Sequence, residues 1–392
     1  MDYNIKKQCD VANDSGKQPD VPKSSSSERH QVISYKIINH LHPYIYEDIK
    51  TISESKIDWP RLKNKTVFIT GGSGFIAFYI VCAILIRNDL FGSNTKVIAL
   101  VRSRENAEKK YGELVCRDDL ELLVQDVCSP IECERADFVI HAASQASAYY
   151  FENDPAGTID ANLTGTSNVL EYAKNSQSES TLIVSSLKVY GSVYNGKSSI
   201  SEDDLGYIDI DSYKNCYAQG KRAAETLGCC YAQQYSMNVT IARPAYIYGP
   251  AKIDDDRVWA QFIANVVRKQ NILLKSNGAA LRSFCYVTDT AVALLKIMLD
   301  GKCATPYNIA TPKSDVTIRG FAKSAVEAFP ELGLTLSFSN PDDEKEPVSS
   351  PMSATPEILD ASRLNELGWS AEVDLTEGIK RSVKIVSLQT KE

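Results

Sequence analysis

Apolar residues recur along most of the chain in an order that predicts alternating strands and helices. Strands are predicted over TVFIT, KVIALV, LELLVQDV, DFVIHAA, TLIVSS and VTIARPAYIYG. Between them, helices are predicted over FIAFYIVCAILIRND, ANLTGTSNVLEYAKNS and CYAQGKRAAETLGCCYAQQY. Strands that alternate with helices form βαβ units, and near-continuously apolar strands are typical of a sheet covered on both faces. The pattern therefore predicts an α/β protein with a doubly wound parallel sheet.

Two flanking regions depart from this alternation. The first 29 residues are polar and rich in Ser, Lys and Asp, which predicts a disordered tail, whereas apolar residues at helical spacing up to Ile57 predict a helical extension. After Pro250 the pattern loosens around a long polar loop, SNPDDEKEPVSSP, and ends in a closing helix. These changes divide the chain into four predicted segments: 1–30, 31–62, 63–250 and 251–392.

Composition narrows the class of protein. The 392 residues are 43% apolar and 24% charged, as in globular proteins, and 43 basic against 50 acidic residues leave a net charge of −7. An acidic chain is a poor general binder of nucleic acid. The ten Cys and four His lack zinc-ligand spacing, so no metal site is expected. No secretory signal is visible, and the apolar run at 75–86 is too short to span a bilayer, so we expect a cytoplasmic protein without a membrane span.

The turn between the first strand and the first helix has the sequence TGGSGFIA. Glycine lets backbone N–H groups approach a pyrophosphate closely, and the N-terminus of the following helix favours an anion. Between a strand and a helix at the start of a βαβ array, this turn predicts a Rossmann-type dinucleotide-binding domain at 63–250, with a mainly substrate-binding region at 251–392. The residues expected to hold the dinucleotide here are Gly71, Ser73, Gly74, Phe75 and Ile76.

The end of the second predicted strand bears on which dinucleotide is bound. NAD sites usually carry Asp or Glu there, but this strand is followed by Arg102 and Arg104. Because Arg can pair with a 2′-phosphate, we expect NADP(H) to be preferred, with Arg102 as a cofactor-binding residue. The alternative is that both are solvated charges and that NAD binds.

A Ser, a Tyr and a Lys form the candidate catalytic group. Tyr217 and Lys221 lie four residues apart at the start of a predicted helix, so they share one face. A neighbouring ammonium group favours the phenolate form of Tyr, which would let Tyr217 exchange a proton near neutral pH. Ser186, at the end of the preceding strand, can hydrogen-bond a substrate carbonyl or alcohol.

These motifs, in this order, resemble the extended short-chain dehydrogenase/reductases of the nucleotide-sugar epimerase/dehydratase type over 65–386. The matching segments are TGGSGFIA, DV, HAAS, SSLKVYG, YAQGK, RPAYIYGP, RSFCYVTD and LNELGWSAEVDLTEGI. The resemblance implies a catalytic triad of Ser186, Tyr217 and Lys221, with Tyr217 and Lys221 also touching the cofactor. It adds further cofactor residues, namely Asp126, Val127, His141, Ala142 and Ala143. It implies a substrate-binding set of Ser144, Asn162, Ser186 and Arg282, and it allows a homodimer.

One departure from the family shapes the expected reaction. Dehydratases and decarboxylases of this group carry an acidic residue two positions after the catalytic Ser or Thr, where this chain has Lys188. A cation cannot replace a carboxylate base at neutral pH, so our hypothesis is hydride transfer without elimination or decarboxylation. We expect NADPH-dependent reduction of the C4 ketone of a nucleotide-activated 4-keto-6-deoxy sugar, such as dTDP-4-dehydro-6-deoxyglucose, in surface-polysaccharide sugar biosynthesis. The alternatives are an NAD-dependent nucleotide-sugar 4-epimerase, a 4,6-dehydratase or decarboxylase, or a non-catalytic dinucleotide sensor.

Overall fold

The structure is a computed structural model that describes residues 43–340, 342 and 356–389. The predicted disordered tail, the beginning of the predicted helical extension and much of the polar loop lie outside the described residues. The part of the extension that is described contains the helix α1 (Pro43–Ser53), which places its apolar face in the core through Ile45, Ile49 and Ile52.

Twelve strands are described. They are β1 (Thr66–Thr70), β2 (Lys96–Val101), β3 (Leu120–Val124), β4 (Phe138–His141), β5 (Ser180–Val184), β6 (Val239–Pro244), β7 (Tyr246–Tyr248), β8 (Ile272–Leu274), β9 (Leu281–Tyr286), β10 (Pro306–Ile309), β11 (Asp315–Thr317) and β12 (Leu336–Phe338). Seven of them form one parallel sheet in the order β10-β6-β5-β4-β1-β2-β3. This confirms the predicted doubly wound α/β fold. The strand order reverses between β1 and β4, and in such sheets the crevice at that reversal is where ligands bind.

The remaining α-helices are α2 (Phe75–Phe91), α3 (Arg104–Tyr111), α4 (Ala148–Asn153), α5 (Pro155–Ser176), α6 (Cys216–Tyr235), α7 (Val258–Val267), α8 (Val287–Asp300), α9 (Ile318–Glu327), α10 (Ser362–Glu366) and α11 (Leu375–Gln389). Every residue from 77 to 86 of α2 is buried, as a continuous apolar run predicts for a helix enclosed on most sides. It packs between α1 and α8. Among the described residues, no helix combines the length and the apolar content that crossing a bilayer requires.

Two small sheets lie outside the central one. The strands β7, β9 and β11 form a three-stranded sheet, and β8 pairs with β12. Glu357 forms an isolated bridge with Arg282 on β9, so the stretch after the polar loop is tied to this smaller sheet. The segment 251–392 also supplies β10 to the central sheet, and the four-part division of the chain stays a prediction.

Candidate active site

The glycine turn after β1 is pressed between two neighbouring segments. Gly71 has φ +66°, and a Cβ on it would lie 2.9 Å from the Cα atom of Ala143. A Cβ on Gly72 would lie 2.7 Å from the Cβ atom of Ala99 on β2. Both approaches are closer than real side chains show, so the turn requires glycine at these two positions.

The helix α2 begins at this turn without a side-chain cap. Gly74 is its N-cap residue and makes no side-chain hydrogen bond. Two residues at the end of α3 fix the carbonyl oxygens of this turn. Lys110 Nζ donates to the carbonyl oxygens of Ser73 and Gly74, each at 3.0 Å. The Tyr111 hydroxyl donates to the carbonyl oxygen of Gly72 at 2.6 Å. An uncapped helix N-terminus behind a fixed glycine turn is a cradle that fits a dinucleotide pyrophosphate.

The two arginines after β2 differ in their partners. Arg104 forms an ion pair with Glu108 at 3.6 Å, whereas Arg102 is exposed and, in the part of the chain that the structure describes, its side chain has no ion pair or hydrogen bond. The Gly72 N–H donates to the Leu100 carbonyl at 2.9 Å, which places the end of β2 beside the glycine turn. Arg102 is therefore the cation that a bound 2′-phosphate could recruit.

The end of β4 is fixed to β1 by one threonine. The Thr70 hydroxyl accepts hydrogen bonds from the N–H groups of Ala142 and Ala143, at 3.1 and 3.0 Å, and contacts His141 Nδ1 at 2.8 Å. His141 Nε2 lies 3.1 Å from the Thr166 hydroxyl. Burial lowers the pKa of His141 to about 3, so the ring is neutral. Both ring nitrogens of His141 are within hydrogen-bond distance of a threonine hydroxyl. Any contribution of His141 to cofactor binding would therefore come from its backbone.

The remaining predicted contact residues lie at the same edge of the sheet. Asp126 is exposed, and its Oδ1 accepts from the N–H of Cys128 at 2.8 Å. Val127 is buried and packs on α5, where a Cβ on Gly165 would lie 2.9 Å from its Cγ1 atom. The predicted role of both residues at the adenine stays a prediction.

Ser144 and Asn162, two predicted substrate residues, contact each other. The Ser144 hydroxyl donates to Asn162 Oδ1 at 3.0 Å, and Asn162 Nδ2 donates to the Thr158 carbonyl at 2.7 Å. Asn162 is fully buried against α6, because a Cβ on Gly220 would lie 2.9 Å from its own Cβ. Asn162 thus holds Ser144 in place, and only Ser144 of the two is partly exposed.

The structure brings the three predicted catalytic residues together at the carboxyl end of β5. Ser186 caps a short 3₁₀ turn, and its hydroxyl accepts from the Lys188 N–H at 3.2 Å. Tyr217 lies in the first turn of α6 and stacks on Phe151 of α4, with ring centroids 4.9 Å apart. Lys221 is buried, its Nζ donates to the Val184 carbonyl at 2.8 Å, and it lies 5.7 Å from the Tyr217 ring centroid.

Burial is the main influence on the pKa values of Tyr217 and Lys221. Burial raises the pKa of Tyr217 above its usual value, and the hydrogen bond with Ser186 and the charge of Lys188 oppose that rise only in part. Burial also lowers the pKa of Lys221 to about 8. The tyrosine is therefore the neutral phenol near pH 7, and the expectation that Lys221 favours the phenolate stays a prediction. In this state Tyr217 is ready to donate a proton rather than to accept one.

Glu357 is a candidate site residue that sequence reasoning missed. Its Oε1 lies 2.8 Å from Lys188 Nζ, and its Oε2 lies 2.8 Å from Arg282 Nε. The Tyr246 hydroxyl donates to the same Oε2 at 2.7 Å, while Lys188 Nζ donates to the Tyr246 oxygen at 2.9 Å. The family's carboxylate is missing at position 188, but the carboxylate of Glu357 lies beside that position. Glu357 belongs to a segment without any family motif, and it is paired with the cations Lys188 and Arg282.

A buried ion pair supports the strand end that carries Ser186. Arg243 on β6 makes a two-pronged contact with Glu225 on α6, with Nη2 at 2.6 Å from Oε2 and Nε at 2.9 Å from Oε1. The hydroxyl of Ser185 donates to the same Glu225 Oε1 at 2.5 Å. Because Ser185 is turned into this network, Ser186 is the serine left for a substrate.

The glycine cradle and the Ser186, Tyr217 and Lys221 group lie along one edge of the parallel sheet, as catalysis on a dinucleotide requires. The class of protein that this combination defines is an enzyme that takes a nicotinamide dinucleotide. More particularly, the sequence pattern of the NAD-dependent epimerase/dehydratase family matches residues 67–310, and the chain belongs to that family. The predicted family and the prediction that the protein is an enzyme are confirmed. Among the described residues, no cluster of three or more His, Cys, Asp or Glu could hold a metal ion.

Known proteins extend this comparison. UDP-glucuronic acid decarboxylase 3 of Arabidopsis thaliana is 33% identical over 321 residues, which cover 81% of this chain and 87% of the relative. Among solved structures, a dTDP-glucose 4,6-dehydratase from Bacillus anthracis in complex with NAD has TM-score 0.67 at 18% identity, over 83% of this chain and 98% of that one. RMD from Pseudomonas aeruginosa, complexed with NADPH, has TM-score 0.62 at 21% identity, over 83% and 99%. The name of the 33% identical relative matches the decarboxylase alternative better than a net ketone reduction, whereas the two solved structures support the fold.

Proposed function

We propose that this protein reduces the C4 ketone of a nucleotide-activated 4-keto-6-deoxy sugar with NADPH, in the cytoplasmic synthesis of surface-polysaccharide sugars. The observation that carries the proposal is the state of the groups around Ser186. Tyr217 is a neutral phenol, and position 188 holds a cation whose partner carboxylate is fully occupied. Such a site can protonate an alkoxide, and the carboxylate beside position 188 is engaged with cations rather than available to take a proton from carbon.

Each residue of the triad has a defined part in this reaction. A bound nicotinamide dinucleotide would supply the hydride. Ser186 would hydrogen-bond the ketone oxygen and polarise it, and Tyr217 would donate its proton to that oxygen as negative charge develops. Lys221, anchored on the Val184 carbonyl, would place a positive charge beside the phenol as its proton leaves.

Net reduction has a direct test. Purified protein is incubated with NADPH and dTDP-4-dehydro-6-deoxyglucose while absorbance at 340 nm is followed. The proposal expects a stoichiometric loss of absorbance and a product two hydrogens heavier than the substrate. Unchanged absorbance with turnover of a nucleotide sugar would instead establish an internal redox cycle.

A second candidate is such a cycle, catalysed as a 4-epimerase or decarboxylase with retained NAD. The 33% identity with a UDP-glucuronic acid decarboxylase favours it. It would require Tyr217 to act first as a base, which the raised pKa opposes unless the positive charge of a bound oxidised nicotinamide lowers it. Product analysis with UDP-glucuronic acid and NAD, where release of carbon dioxide marks decarboxylation, separates this candidate from net reduction.

The preference for NADPH is tested by removing one cation. Arg102→Ala is expected to weaken NADPH binding by about 10- to 100-fold, since a charge-assisted bond contributes about 1.5–3 kcal/mol. NADH, which lacks the 2′-phosphate, should bind as before. Arg104→Ala is the matched control, because Arg104 already pairs with Glu108. Equal losses for both dinucleotides in Arg102→Ala would contradict the assignment, and fluorescence titration of each reduced cofactor measures them.

A further inference from the structure

The carboxylate of Glu357 is held by three donors from separate parts of the chain. Lys188 follows β5, Tyr246 begins β7 and Arg282 lies on β9, and all three contact Glu357 within 2.9 Å. Both cations also lie over the Tyr246 ring, at 5.2 and 5.6 Å from its centroid. The result is a carboxylate-binding site filled by a carboxylate of the protein itself.

Two members of this cluster, Lys188 and Glu357, line a cavity beside the candidate catalytic residues. Lys188 and Glu357 line that cavity together with Leu187, next to Ser186, and Ala218, next to Tyr217. The charge of Lys188 also acts on the Tyr217 hydroxyl. A sugar ring positioned for chemistry at Tyr217 would therefore have the Glu357 cluster as a neighbour.

We infer that Glu357 makes this pocket select neutral sugars and reject uronic acids, an inference that rests on the proposed nucleotide-sugar function. Lys188 and Arg282 are the two cations of the cluster, and each already has a carboxylate oxygen at 2.8 Å. The carboxylate of a uronic acid would have to displace Glu357 or lie against its like charge. A 6-deoxy sugar, whose C6 is a methyl group, meets no such penalty.

A catalytic role of Glu357 as the missing base is the rival explanation. Burial alone would raise the pKa of Glu357, but the charges and hydrogen bonds of Lys188, Arg282 and Tyr246 hold it below its usual value. A carboxylate with a lowered pKa and both oxygens engaged is a poor proton acceptor. The geometry therefore suits charge selection rather than base catalysis.

Calorimetric titration of the full protein with UDP-glucose and with UDP-glucuronic acid, each in the presence of NADPH, tests the inference. No turnover occurs, because neither sugar has a ketone to reduce. The wild-type protein is expected to bind UDP-glucose at least about tenfold more tightly. Glu357→Gln is expected to raise affinity for UDP-glucuronic acid by about tenfold, with UDP-glucose changed by less than about threefold. Asp209→Asn is the control, because Asp209 lines the same cavity but its Oδ1 accepts from a backbone N–H.

Lys188→Gln provides a second variant with the opposite sign. The substitution removes one of the two cations that balance the negative charge of Glu357. UDP-glucuronic acid should therefore bind more weakly than to wild type, while the affinity for UDP-glucose is unchanged. A ratio of affinities that is the same in wild type, Glu357→Gln and Lys188→Gln overturns the charge selection. Equal loss of both ligands in Glu357→Gln also overturns it, as a purely structural role. Failure of the wild-type protein to bind UDP-glucose would also overturn the charge selection, whereas the proposed function is tested separately by the loss of absorbance at 340 nm with the dTDP-linked 4-keto sugar.

Discussion

Replacing Tyr217 by Phe is expected to lower kcat by about 10²–10⁴-fold, the usual contribution of a positioned general acid. The substitution removes only the hydroxyl that would protonate the ketone oxygen. The ring that stacks on Phe151 remains, so the fold and the cavity should be preserved. Steady-state rates with NADPH and the 4-keto sugar measure the loss, and fluorescence titration should show NADPH bound nearly as tightly as by wild type.

Tyr213→Phe is the matched control for this prediction. Tyr213 lies just before α6 and is 57% exposed, so losing its hydroxyl should leave turnover unchanged. A Tyr217→Phe variant that turns over within about threefold of wild type would refute the assigned role of the phenol.

Glu225→Ala is expected to destabilise the protein by about 3–5 kcal/mol, the cost of leaving a buried charge without its partner. The side chains of Arg243 and Glu225 are only 6% and 10% exposed, and Ser185 depends on the same carboxylate. The free energy of unfolding from denaturant titration measures the loss. Because Ser185 and Lys221 both border Glu225, the strand end that carries Ser186 should also lose order.

Two comparisons establish whether the unpaired charge causes that loss. Lys109→Ala breaks an exposed pair with Glu105 and should cost about 0.2–1 kcal/mol. Combining Glu225→Leu with Arg243→Met removes both charges and should recover much of the stability lost in the single variant. A double variant as unstable as Glu225→Ala would show that packing, rather than charge, accounts for the effect.

The local and periodic parts of the molecule could be predicted from the sequence. The apolar run after the glycine turn indicated an enclosed helix, and α2 is buried through residues 77–86. Strand–helix alternation indicated the parallel sheet, because short connections leave few topologies. The Ser, Tyr and Lys group followed from motif order, and the structure brings Ser186, Tyr217 and Lys221 to one edge of the sheet.

The features that sequence reasoning missed depend on long-range contacts. Glu357 reaches Lys188 across 169 positions, and nothing in its local sequence marks it as a site residue. The protonation of Tyr217 is set by burial, which motif spacing cannot show. His141 matched a family motif, but two threonine hydroxyls from β1 and α5 occupy its ring. Tertiary packing decides each of these three properties.

The most direct test of net ketone reduction is to follow the hydride itself. NADPH carrying deuterium at the transferable C4 position of the nicotinamide is incubated with the wild-type protein and dTDP-4-dehydro-6-deoxyglucose. Net reduction predicts one deuterium in the product, at sugar C4, with one NADP⁺ formed per sugar. A product free of deuterium, or sugar conversion without formation of NADP⁺, would contradict it.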